Sequence, residues 1–310
     1  MRFISSMILC ASALAFVGCG KNSSSPATNN PYTLDDYGPS TKPAGAASNE
    51  SLKGLLQMMK GANALLPGQD TYHQVVSDGT DLREVTDSSP ERQKALKKLS
   101  PEGLQVLASM KANCQIHDAQ ATQNGNPDSV TGATLTKTAS MSTSGAACPI
   151  LENVRNSTTT HYDRVDVNQQ TQDFVIQEST QQVSEAHSKI QDPRLASRIG
   201  MAQIDLVLNT NLKLETSQTA GVQTTNAKLV GEGQIQLALA DGGQINFKIK
   251  MQVLAKGNEQ ATQILLDGQT PEGAVRIVVI MGKDSQIQLL TVNGQKADPA
   301  DFRGLIGDDN

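Results

Sequence analysis

The sequence has no tryptophan and few other aromatics, five phenylalanines and four tyrosines in 310 residues. That scarcity argues against base-stacking platforms, sugar-binding aromatic shelves and the aromatic girdles of a transmembrane barrel. Charge of one sign gathers only in the short cluster Arg92, Lys94, Lys97 and Lys98, which reads as a solvated helix face ahead of a contact with anionic lipid. The 26 basic and 31 acidic residues are otherwise spread along the chain, and without a broader basic patch nucleic acid is not an expected partner. The histidines, His73, His117, His161 and His187, share no ligand spacing, so no metal site is expected. No Gly-x-Ser-x-Gly elbow, phosphate-binding loop or zinc-protease helix occurs. His161 and Asp163 would share a strand face, but that is too little to name a base and its orienter. The expectation is therefore a protein that is not an enzyme, with no catalytic residue and no cofactor.

One apolar run stands out, about 14 residues from Ile4 to Val17, preceded by Arg2. It is too short to span a bilayer as a mature helix and has the plan of an export signal. It ends in Phe16-Val17-Gly18-Cys19. A small residue directly before a cysteine resembles the lipobox of bacterial lipoproteins, a resemblance confined to the first nineteen residues. It implies that residues 1–18 are removed as a signal peptide and that Cys19 is lipidated through its thiol and usually acylated at its new amino end. It also implies a membrane partner reached through Cys19. Acyl chains contribute about 0.8 kcal/mol per buried methylene, and two or more anchor a protein stably. Removing residues 1–18 takes away Arg2 and no acid, leaving 25 basic and 31 acidic residues. The resemblance carries one further expectation. Asp after the lipidated cysteine tends to hold a lipoprotein at the inner membrane. Gly20 stands there instead, so the outer membrane of a Gram-negative envelope is the expected address.

Cys10 leaves with the signal and Cys19 carries lipid, so Cys114 and Cys148 remain. In an oxidising compartment such a pair reads as a disulfide, worth roughly 3–4 kcal/mol for a loop of about 35 residues. Residues 19–50 form the expected tether. From Gly20 to Ser48 they are rich in Ser, Asn, Pro, Ala and Gly and bury too little apolar surface to offset ordering entropy.

Residues 51–310 are expected to form one α+β domain. Leu52, Leu55, Leu56, Met59, Ala62 and Leu66 fall on one face of a helix over residues 50–66, capped by Asn49 and ended by Pro67-Gly68. Residues 72–76 and 82–85 suggest short strands around a turn. Ser89-Pro90-Glu91 and Ser100-Pro101-Glu102 each open a helix with a capping serine, a proline at the first position and an acid at the positive dipole end. The second should run to about Cys114. Residues 115–147 are polar and simple and read as a long loop, with strand character only over residues 134–141.

Alternation takes over in residues 151–310. Ile204, Leu206, Leu208, Leu212 and Leu214 lie on one face, with Gln203, Asp205, Asn209, Asn211, Lys213 and Glu215 on the other. Ile245, Phe247, Ile249, Met251 and Val253 repeat the pattern after the Asp241-Gly242-Gly243 turn. Short turns between alternating strands predict an antiparallel up-and-down β-meander, a curved sheet or partial barrel, with the N-terminal helices covering its apolar face. Two functions suit such a body. One is a structural or interaction role, presenting a sheet edge or the long loop to another envelope protein. The alternative is a carrier or binding module for a lipid or other apolar ligand.

Overall fold

A computed structural model describes residues 43–48, 100–126, 128, 130–256, 259–282 and 286–298. In chain order they form α1 (Pro101–Asn113), β1 (Gln115–Gly125), β2 (Thr134–Ser144), β3 (Ile150–Val167), β4 (Phe174–Ile190) and α2 (Pro193–Ile199). Then follow β5 (Met201–Thr219), β6 (Val222–Leu239), β7 (Gln244–Lys256), β8 (Glu259–Thr270), β9 (Gly273–Met281), β10 (Ile287–Val292) and β11 (Gln295–Lys296). All eleven strands belong to one sheet in strictly sequential order. Every pairing is antiparallel.

The expected α+β class is corrected. Of the described residues, 68% lie in strands and 10% in helices, and among them α1 and α2 pack on only part of the sheet instead of covering it. The protein is mostly β because stretches read as loop are strand. Residues 115–147 are chiefly β1 and β2, and their polar side chains suit a hairpin exposed on both faces. Residues 181–190, ambiguous in sequence, belong to a 17-residue strand. The helices expected over residues 50–66 and from Ser89, the short strands over residues 72–85 and the closing turn over residues 299–306 lie outside the described residues.

The strands form where alternation and turn chemistry agree. Ala220-Gly221 joins β5 to β6, and Asn293-Gly294 joins β10 to β11. All four residues have positive φ, between 49° and 80°, as a two-residue hairpin turn of matching twist requires. α1 forms as its sequence predicts, with the Ser100 hydroxyl accepting from the Gly103 amide at 3.1 Å. α2 starts on the Asp192 side chain and stops at Gly200 in the left-handed region.

One face of the sheet carries the core. Ile204, Leu206 and Leu208 of β5 meet Ile235 and Leu237 of β6, Ile249 and Val253 of β7, and Val275 and Val279 of β9. Leu107 and Met110 of α1 and Leu195 and Ile199 of α2 join the same cluster. Each such fully buried side chain contributes about 1.5–3 kcal/mol. Two glycines admit this packing. A Cβ on Gly233 would overlap the Val207 carbonyl oxygen, and one on Gly268 would overlap the Phe247 ring and the Asn246 carbonyl. Ala46 bridges to Ala274 and Ala47 is buried in the core, so the end of the expected tether is packed chain.

The core occupies only one end of the longest strands. β3 to β6 are 17 to 19 residues each, against a usual 5–6. Beyond about Thr158 in β3 and before Gln182 in β4 neither strand contributes to the core cluster. At about 3.3 Å per residue these distal halves project roughly 30 Å.

Candidate functional site

The two ends of the sheet are built differently. β11 is two residues long, which is how proteins commonly blunt an edge. β1 is eleven residues long and, among the described residues, pairs only with β2. An edge strand of that length presents unpaired backbone donors and acceptors along its free side. Gln115, His117, Thr122, Gln123 and Asn124 on it are exposed. The sequence expectation offered a sheet edge or a long loop as the interaction element. The structure makes them one object, since the expected loop is the edge hairpin.

That hairpin is fixed at its base. The Cys114–Cys148 disulfide joins the residue after α1 to the turn between β2 and β3. Ile116 packs against the core and His117 Nε2 lies 2.8 Å from Ser144 Oγ. Gly145 has φ 138°, and a Cβ there would overlap the Asn113 carbonyl, so the chain passes under the end of α1 only as glycine. At the tip Gly125 has φ 105°. The strand register shifts between Ala119 and Thr122, a bulge that bends the edge.

Beside this hairpin sits a carboxyl that sequence reasoning missed. Glu152 of β3 is on the core side, nearly fully buried between Ile150 and Val154 and opposite Ser188. Its backbone amide donates to Thr143 Oγ1 at 2.7 Å, and that hydroxyl donates to the Ile150 carbonyl at 3.3 Å. Among the described residues its Oε2 has no hydrogen-bond partner. Burial pushes the carboxyl up to about 7. The alternation of large residues is weak in β3, so nothing in the sequence marks Glu152 as inward-facing.

The histidines do not converge. His161 Nδ1 lies 2.9 Å from Thr134 Oγ1, and its Nε2 is 3.8 Å from Asp163 Oδ1. Ser179 Oγ donates to Asp163 at 2.5 Å. His161 and Asp163 do share a strand end, but 3.8 Å is beyond hydrogen-bond reach and both side chains are 46% exposed. His187 pairs with Asp205 across β4 and β5, on the face opposite the core. His73 and Cys19 lie outside the described residues. Among the described residues no three His, Cys, Asp or Glu side chains are grouped to hold a metal ion, and no helix is long and apolar enough to cross a membrane.

The geometry defines a class of fold only, a single open antiparallel sheet with one long edge. No protein-family model, no curated protein and no solved structure matches the chain.

Proposed function

We propose that this is a lipid-anchored bacterial envelope protein with a structural role, holding a second envelope protein by strand addition at β1. Cys19 supplies the membrane attachment and the export signal supplies the address, with Gly20 favouring the outer membrane. An extended segment of the partner adds as a twelfth strand, gaining main-chain hydrogen bonds along β1. One observation carries this reading: among the described residues, an eleven-residue edge strand at one end of the sheet and a two-residue strand at the other. Aggregation risk usually removes such an edge, so its retention here suits a partner. The carrier alternative is less favoured, because Leu107, Met110, Leu195 and Ile199 of the protein's own helices occupy part of the apolar face. No chemistry is assigned to the protein, and no cofactor.

A photo-crosslinking amino acid at Gln123 tests this in cells. A discrete adduct from that position is expected, and none from a control at the outward Gln234 of β6. No adduct at Gln123, or equal adducts from both positions, would contradict strand addition.

A further inference from the structure

The face that carries the core does not end with the core. Strand register continues it into the distal half, where one row reads Tyr162, Glu178, Leu214 and Ala227 across β3 to β6. The next row outward begins with Val165 and Ile176, and Phe174 lies two residues beyond Ile176 on the same face. None of Tyr162, Val165, Phe174, Ile176 and Leu214 belongs to the core cluster or packs against it. All five are half-buried, and Ala227, in the same row as Tyr162 and Leu214, is buried.

Glu178 is the one charge in this stretch. Among the described residues its carboxylate makes no hydrogen bond and no ion pair. Arg164, Lys213 and Lys228, near it in register, fall on the opposite face of the sheet. The apolar side chains around it remove part of its water, which pushes the carboxyl up. Thr160, Thr180, Thr216 and Thr225 complete the neighbouring rows, and a face that mixes apolar and hydroxyl side chains around one under-solvated anion is complementary to a cation flanked by apolar groups.

We propose that this distal face docks a polypeptide segment that sets a lysine or arginine against Glu178 and lays apolar side chains on Ile176, Leu214 and Tyr162. The surface spans four strands about 4.8 Å apart, a broad strip where small ligands favour concave pockets. A second copy of this chain is disfavoured, because a two-fold contact here would set Glu178 against Glu178. An anionic membrane is disfavoured by the same charge. This docking is separate from strand addition at β1 and does not depend on it.

The test uses the full chain in detergent and two nine-residue peptides, one with a single lysine flanked by valines and one with glutamate in its place. Calorimetry should show the lysine peptide binding at least about tenfold tighter than the glutamate peptide, a difference of about 1.4 kcal/mol. Glu178→Gln should erase that preference, and Ile176→Asp, a second surface variant, should weaken binding of both peptides. β1 edge variants should change neither value. Three results overturn the proposal: no binding of the lysine peptide, equal binding of the two peptides, or an unchanged preference in Glu178→Gln. Binding to phosphatidylglycerol vesicles with no peptide preference overturns it in favour of a membrane.

Discussion

Cys114 and Cys148 are bonded across the base of the β1–β2 hairpin, 34 residues apart in sequence, with Cα atoms 4.7 Å apart. The bond ties the end of α1 to the start of β3 and leaves the edge strand between two fixed points. Replacing both cysteines with serine should lower unfolding stability by roughly 3–4 kcal/mol in the chain-entropy model. Denaturant titration of the oxidised protein against the double variant checks this. An unchanged midpoint would mean that hydrogen bonds to β2 hold the hairpin without the crosslink.

Glu152 makes stability depend on pH in a definite direction. An unfolded glutamate titrates near 4.3, whereas the folded group is pushed up to about 7 by burial. Between those values the folded state binds more protons than the unfolded state, so stability falls as pH rises through that window and levels off above it. Glu152→Gln should flatten this slope and be the more stable form above pH 7, by on the order of 3 kcal/mol. Urea melts at pH 4.5 and 8 for both proteins measure it. A parallel loss in the variant would place the dependence on another group.

Gly268 and Gly233 are required by close packing. Gly268→Ala would push a methyl into the Phe247 ring and the Asn246 carbonyl, and Gly233→Ala into the Val207 carbonyl and Leu208. Each should cost about 1–3 kcal/mol by overpacking. Thermal melts of the two variants should therefore fall well below the parent, while Gly242→Ala, where nothing lies within 4 Å, should lose less and only through its φ of 90°.

The proposed anchoring rests on one sulfur. Cys19→Ser should move the protein from the membrane fraction to the soluble fraction, since acyl chains and not a spanning helix are proposed to hold it. A variant that still sediments with membranes would remove lipidation from the account.

Much of the sheet was legible in the sequence and part was not, for physical reasons. β5 and β7 announce themselves because Ile204 to Leu208 and Ile245 to Val253 place large aliphatics at every second position against one core. α1 is set by Ser100 and Pro101. β1 escaped, and β2 showed strand character only over residues 134–141, because few of their side chains join the core and alternation is weak. Only Leu135 and Thr143 of β2 are buried. The middle of β4 and the start of β6 are hard to read for the same cause, as the polar Thr180, Gln182, Thr224 and Thr225 carry no periodic signal. The Cys114–Cys148 pairing was readable from cysteine number and compartment. Glu152 and Glu178 were not, because their neighbours come from other strands and only the register brings them together.

The claim everything else serves is that β1 receives a partner strand. Hydrogen–deuterium exchange over residues 115–125 tests it most directly, comparing the purified protein with the same protein in native envelope membranes. Strand addition predicts fast exchange in the purified state and at least roughly tenfold slowing in the envelope, with β5 amides unchanged between the two. Equal exchange of residues 115–125 in both settings would contradict it.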